Sequence, residues 1–460
     1  MSMRHELRTL LRGALRPPEN DSAFLLDVHR RAVPQERMAR YDDTYPVDLV
    51  IVGSGAGGGT LAQRLARRGW KVVVLEAGPF WDPDEDWVSD EAGSHSLYWT
   101  EERVIGGSDP VELGKNNCGH GVGGSMVHYA GYCPRFHPSD FEVRTRDGVG
   151  EDWPISYEDL KPHYERLELE LPVAGDYWPW GDPHRYPHTA HPIAGGAEVA
   201  RGGARKLGIE MRVGPVGITN GAFGNRPHCI YRGFCLQGCK VNAKASPLVT
   251  HIRDAIEHGA EIRAGCMAVE IEVDDSRGRV AGVRYVRDGS ERFQRADAVA
   301  VAGYSIETPR LLLNRTAADR ARHARPRPRA LGPGAAQYVR DYNHENRVTV
   351  TSDATDRNGV PVARMDYSQC DNDRKNIAYA KQTLHDIFEA GEPGADDHGA
   401  RLAARRTTDA QARRRARRAP AAPPATAAAA SAEPSRCRLI QACSLRPCDL
   451  SSKMPRAPSS

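Results

Sequence analysis

Residues 53–58 read Gly-Ser-Gly-Ala-Gly-Gly, a G-x-G-x-x-G run, and Glu76 follows Gly53 by 23 residues. These residue types at this spacing fit a dinucleotide site. Gly53 permits a tight turn, Gly55 lets the backbone approach a pyrophosphate, and Gly58 lets a helix pack close to a strand. A helix starting here would offer free N–H groups and the positive end of its dipole to phosphates. Glu76 would accept hydrogen bonds from a ribose diol. On this motif alone a nicotinamide dinucleotide fits as well as a flavin one. A second glycine-rich stretch, GHGVGGSMVHY at 119–129, contains Gly121, Gly123, Gly124 and Ser125. Its glycines allow backbone contact with a flat or charged ligand, and Ser125 adds a hydroxyl. Cys229, Cys235 and Cys239 form a third constellation, C-x5-C-x3-C. Three thiolates in one short loop could ligate an iron–sulfur cluster. Zinc fits less well, because four ligands are usual and no histidine pair follows. Three free thiols are the alternative.

The surrounding pattern supplies elements to hold the first motif. Val47–Val52 is a short apolar run that reads as a buried parallel strand. Thr60–Arg68 has helical spacing, and Lys71–Leu75 is a second strand, which completes a βαβ unit. Residues 80–150 are rich in Gly, Asp and aromatics with little periodicity, and so long an irregular stretch is usually functional. Helices are predicted over 157–171, 194–207 and 247–258, and strands over 260–262, 268–273, 280–286 and 296–302. The run VAVAGYSIETPRLLLN reads as strand, tight turn and helix (305–314), a second contribution to the same sheet. Past Arg315 the periodicity is lost. It returns at 346–391, with a strand at 347–351 and a helix at 372–390 that aligns Ile377, Ala380, Leu384 and Phe388.

Composition narrows the class. The chain has 460 residues, 40% hydrophobic and 27% charged, within the soluble globular range. A net charge of +3 points to neither nucleic acid nor membrane. The eight arginines between Arg401 and Arg418 belong to a tail, 398–460, whose Arg, Ala, Pro and Ser text reads as disordered. That tail lacks interleaved aromatics and folded support, so nucleic-acid binding is not expected. No apolar run reaches the roughly 20 residues that cross a bilayer, so no membrane span is expected. Residues 1–16 alternate Leu with Arg and lack the apolar core and cleavage site of a secretory signal, which predicts a cytoplasmic protein. Ten cysteines in such a chain read as thiols rather than a disulfide framework.

VDLVIVGSGAGGGTLAQRLARRGWKVVVLEAG resembles the start of the glucose–methanol–choline (GMC) oxidoreductases. GHGVGGSMVHY resembles that family's flavin loop, GYSIETPRLLLN its second signature, and Trp153–Tyr157 followed by an acidic helix is also similar. The likeness runs from about residue 46 to 315 and looks nearest to the gluconate and sugar dehydrogenase branch. It implies an α/β fold: a Rossmann-like FAD-binding domain, a parallel sheet with flanking helices, over 47–315. A helical lead-in (1–46) would precede it, and a partial, truncated α+β substrate domain (316–397) and the disordered tail would follow. FAD would rest on Gly53, Gly55, Gly58, Glu76, Gly123, Gly124, Ser125 and His128. The activity implied is oxidation of a CH–OH group of a sugar, polyol or other alcohol by hydride transfer to flavin N5. The cysteine spacing resembles that of multi-subunit sugar dehydrogenases, which would add an iron–sulfur cluster and an electron-transfer partner. The family's late histidine base and its His or Asn companion are not recognisable, so the catalytic residues stay unassigned. His385 and His398 lie in no matching motif. The Arg-, Ala- and Pro-rich text of 316–341 and 401–460 has the look of a GC-rich gene read out of frame, which leaves an inactive flavin-binding remnant as one alternative; an NAD-dependent enzyme using the same βαβ unit is another.

Overall fold

The computed structural model describes residues 35–83, 85–87, 96–110, 118–148, 151–193, 195–221, 223, 226–274, 279–320, 346–369 and 371–391. The lead-in before residue 35, the stretch 321–345 and the expected tail lie outside the described residues. From Gln35 to Pro46 the lead-in is a single 3-10 turn followed by irregular backbone, not a helix. Tyr41 fastens it, its N–H donating to Glu261 and its hydroxyl to the Gly259 carbonyl.

The elements follow in chain order: β1 (Val47–Val52), α1 (Ala56–Ala66), β2 (Val72–Leu75), β3 (Val104–Gly106), α2 (Val143–Asp147) and α3 (Tyr157–Glu170). A short pair, β4 (Ala174–Gly175) and β5 (His188–Thr189), precedes α4 (Gly195–Lys206) and α5 (His251–Glu257). Then come β6 (Glu261–Arg263), β7 (Met267–Asp274), β8 (Arg279–Arg287), β9 (Ser290–Val301) and α6 (Tyr304–Arg320). The last are β10 (Arg347–Thr355), β11 (Pro361–Asp366) and α7 (Asp371–Gly391).

The main sheet has the order β6-β2-β1-β9-β8-β7. The four strands β6, β2, β1 and β9 are parallel, and β9, β8 and β7 form an antiparallel meander. This is the α/β architecture expected: the late strand joins the same sheet, and the structure places it beside β1. The period of two along a strand sorts the core. Leu49, Ile51, Val72 and Val74 pack on one face with Ala62 and Ala66 of α1 and Ile252 and Ile256 of α5. Val50, Val52, Val73 and Leu75 pack on the other with Val283, Tyr285 and Leu311. A smaller sheet, β10-β11-β3, ties Val104–Gly106 of the irregular stretch to the late segment.

The helix predicted over 247–258 is broken. Pro247–Val249 forms a 3-10 turn, and α5 begins at His251 after Thr250. The turn is wedged: Leu248 is fully buried, and a Cβ on Gly59 would lie 2.9 Å from Pro247 Cβ. It backs the second glycine-rich stretch, where a Cβ on Gly123 would meet Leu248 at 3.1 Å. Helix α6 in turn runs to Arg320, past the expected Asn314.

Gly58 carries the close approach of α1 to β1, since a Cβ there would overlap the Gly53 carbonyl oxygen and press on Ile51. Gly58→Ala should therefore lower stability by about 1–3 kcal/mol through overpacking. Urea unfolding checks this, and an unchanged midpoint would contradict it.

Candidate functional site

Three segments that are distant in sequence meet at the carboxyl end of β1. Gly53 turns the chain at φ +94°, and a Cβ on it would sit 2.6 Å from the Ala302 carbonyl oxygen. The following Ser54 is completely buried. Its hydroxyl donates to Glu76 Oε2 at 2.6 Å and its N–H donates to the same oxygen at 3.0 Å. Gly78 N–H donates to Glu76 Oε1 at 3.1 Å. The Ser54 hydroxyl oxygen also accepts from Gly123 N–H at 3.1 Å. One serine therefore links the first glycine turn, the end of β2 and the second glycine-rich stretch. That stretch is pinned again by Gly119 N–H, which donates to the Ser125 hydroxyl at 2.9 Å. Gly124 meets Gly55 backbone to backbone, and a Cβ on Gly124 would lie 2.7 Å from Gly55 Cα. Burial raises the pKa of Glu76, opposed by these hydrogen bonds, which favour its charged form.

A cavity of about 310 Å³ opens at this junction. Gly53, Gly55, Glu76, Gly124 and Ser125 line it. Gly58, Gly123 and His128 do not: Gly58 sets helix packing, Gly123 sits behind the wall on Ser54, and His128 is buried with its ring 4.5 Å from that of Tyr98. One wall of the cavity is the face of α6 that carries Tyr304, Glu307, Leu311 and Asn314, at helical spacing. An ion ladder stiffens that wall. Arg103 reaches Glu307 at 2.9 Å, Glu307 reaches Arg310 at 3.0 Å, and Arg310 reaches Asp356 at 2.6 Å. All four side chains are largely buried, and their charges cancel. Burial without such pairing would be costly. Arg103 also lies over the Trp99 ring, 5.1 Å from its centroid.

The glycine contacts leave backbone where a side chain would fill the space, and Glu76 stands at the cavity wall beside them. A dinucleotide fits such a donor set: phosphates against α1 and the glycines, a ribose diol at Glu76.

The three cysteines share one apolar loop, half-buried against Ile218, Val241 and Ala243. Cys229 Sγ accepts from Tyr231 N–H at 3.4 Å and Cys239 Sγ from Lys244 N–H at 3.3 Å. Among the described residues no group of three or more His, Cys, Asp or Glu could hold a metal ion. The iron–sulfur expectation thus finds no support in the donor geometry. Beside the loop, the buried Lys244 ammonium donates to the carbonyls of Val127, Tyr129 and Cys235 and braces the backbone on both sides of His128. His385 lies on the exposed side of α7, 3.4 Å from Glu389, and does not line the cavity. His398 falls outside the described residues. No helix among the described residues is long and apolar enough to cross a membrane.

Ser54 and the ion ladder were not identified from sequence. Glu307 and Arg310 stand three apart on one helix, a spacing that signals a pair. Arg103 and Asp356 carry no such signal.

The fold and the cavity define a dinucleotide-binding α/β protein, and residues 51–80 match the model of an NAD(P)-binding Rossmann-like domain. Residues 114–332 match the GMC oxidoreductase model. It is similar to the fructose dehydrogenase large subunit of Gluconobacter japonicus, 28% identical over 59% of this chain and 55% of that protein. It is also similar to 2-methyl-1,2-propanediol dehydrogenase of Mycolicibacterium austroafricanum, 31% identical over 58% of this chain and 50% of that one. A third relative is 6'''-hydroxyparomomycin C oxidase of Streptomyces lividus, 32% identical over 58% and 50%. Among solved structures, pyridoxine 4-oxidase from Mesorbium loti aligns over 58% of this chain and 52% of that one, at 18% identity and a TM-score of 0.40. The chain spans about half the length of the curated relatives it matches.

Ser54→Ala would strip Glu76 of a donor and Gly123 N–H of its acceptor. We expect a loss of about 1–3 kcal/mol in thermal or urea unfolding, since buried groups are left unpaired; stability equal to that of the native chain would contradict the linking role. His128 supplies a pH test. Burial, and next the nearby Lys244, lower its pKa to about 4. The unfolded chain would take up a proton near pH 6.5, so stability should fall as the pH drops from about 6.5 towards 4, by roughly 3 kcal/mol in all. His128→Asn should flatten that part of the stability–pH curve, and an unchanged slope would show that other groups govern it.

Proposed function

We propose that this protein binds FAD and oxidises a CH–OH group of a sugar, polyol or other alcohol. The observation that carries the reading is the junction at Glu76. There a buried carboxylate, the first glycine turn and the 119–125 stretch are hydrogen-bonded into one cavity wall. The GMC family match over the second of these stretches favours a flavin over a nicotinamide dinucleotide. The names of the relatives, which are dehydrogenases and oxidases of a sugar, a diol and an aminoglycoside, support the substrate class.

In this reading Glu76 holds the ribose diol, and the backbone of Gly53, Gly55 and Gly124 holds the pyrophosphate. FAD, when bound, supplies a two-electron acceptor for hydride. The residues of this chain bind and orient that group, and the buried ion ladder with Trp99 closes its cavity to water on one side. The hydroxyl proton of the substrate needs a base near neutral pH, a role suited to histidine. We assign that role to no residue of this chain. Dioxygen or a separate redox partner would take up the electrons.

Anaerobic titration of the purified chain with a panel of sugars, polyols and primary alcohols tests the catalytic part. Bleaching of the visible flavin bands by at least one donor is expected. Flavin bands that no donor bleaches would contradict the proposed oxidation and leave a binding protein.

A further inference from the structure

Tyr304 is the first residue of α6 and lines the cavity. Its φ is +70°, in the left-handed region that glycine and asparagine enter readily and an aromatic residue does not. Among the described residues the other non-glycine positions with positive φ are Pro172, Tyr231, Asn242 and Asp288, and none of them lines the cavity. Packing does not account for the strain, because Tyr304 is 47% exposed and gains little from burial. Strained backbone of this kind persists where the surrounding structure holds it, and it clusters at ligand clamps. Here the holding structure is visible. Tyr304 follows Ala302 and Gly303, which contact the Gly53 turn backbone to backbone. The residue therefore leaves the junction at which the two turns after β1 and β9 meet, beside the glycines that would receive a pyrophosphate.

We propose that Tyr304 is a binding residue that covers the ADP half of the dinucleotide. Its ring packs over the ribose–pyrophosphate portion. This inference rests on the dinucleotide reading of the cavity and adds to it a specific contact from the second turn. The strain is tolerated in the free protein, and the contact is made in the complex.

Calorimetric titration of the flavin-free full-length chain with FAD and, separately, with ADP tests the proposal in the native protein, Tyr304→Asn and Tyr304→Phe. Asparagine accepts the backbone conformation but lacks the ring. We expect it to weaken FAD and ADP alike, by roughly five- to tenfold, with a melting midpoint of the ligand-free protein equal to or above the native one. Phenylalanine keeps the ring and should retain most of the affinity. Undiminished binding by the Asn variant, or a loss for FAD that ADP does not share, would overturn the role of Tyr304 while leaving the cavity reading intact. A lowered melting midpoint in the Asn variant would overturn the strain argument. A native chain that binds neither FAD nor ADP would overturn the cavity reading and this proposal together.

Discussion

Glu76 is a buried carboxylate that receives its hydrogen bonds from Ser54 and Gly78, and Ser54 passes the connection on to Gly123. The site depends on this arrangement. A carboxylate out of water is costly unless its lone pairs are used, and here using them ties the second glycine-rich stretch, through Ser54, to the paired ends of β1 and β2. The same contacts leave Glu76 poised. Burial favours its neutral form and the donors favour its charged form. A ribose diol would add further donors, so ligand binding and ionisation are linked through one side chain.

The packing around this knot follows from it. Gly58 lets α1 lie against β1, and Gly59 accommodates the Pro247 turn. That turn backs Gly123 through Leu248. The break in the predicted 247–258 helix is thus no local accident, since the 3-10 turn is the wedge that holds the second glycine-rich stretch against the first. On the far side the ladder from Arg103 to Asp356 joins α6 to the small sheet, so the cavity wall is stiff along the helix that carries Tyr304.

Much of this was legible because it is local. The continuous apolar runs at Val47–Val52 and Val72–Leu75 specify buried strands, and the glycine spacing with Glu76 specifies what lies between them. That the strand before Gly303 joins the same sheet followed from the same logic, and its place beside β1 came from the structure. What was not legible depends on partners far apart in the chain. Ser54 reads as a variable position within the motif until Glu76 and Gly123 are placed around it. Arg103 and Asp356 are ordinary surface types until folding buries them. Cys229, Cys235 and Cys239 show the converse: their spacing suits a metal, yet among the described residues they do not come together as a donor group. His128 stands near the site in sequence, but its ring turns to Tyr98 rather than to the cavity.

The central claim is that this cavity is built for one particular dinucleotide. Acid or heat release of any small molecule that copurifies with the full chain, followed by chromatographic identification and quantification, tests it directly. FAD, approaching one molecule per chain, is expected. A nicotinamide dinucleotide in its place would contradict it, as would a chain that holds no dinucleotide after expression in a flavin-replete host.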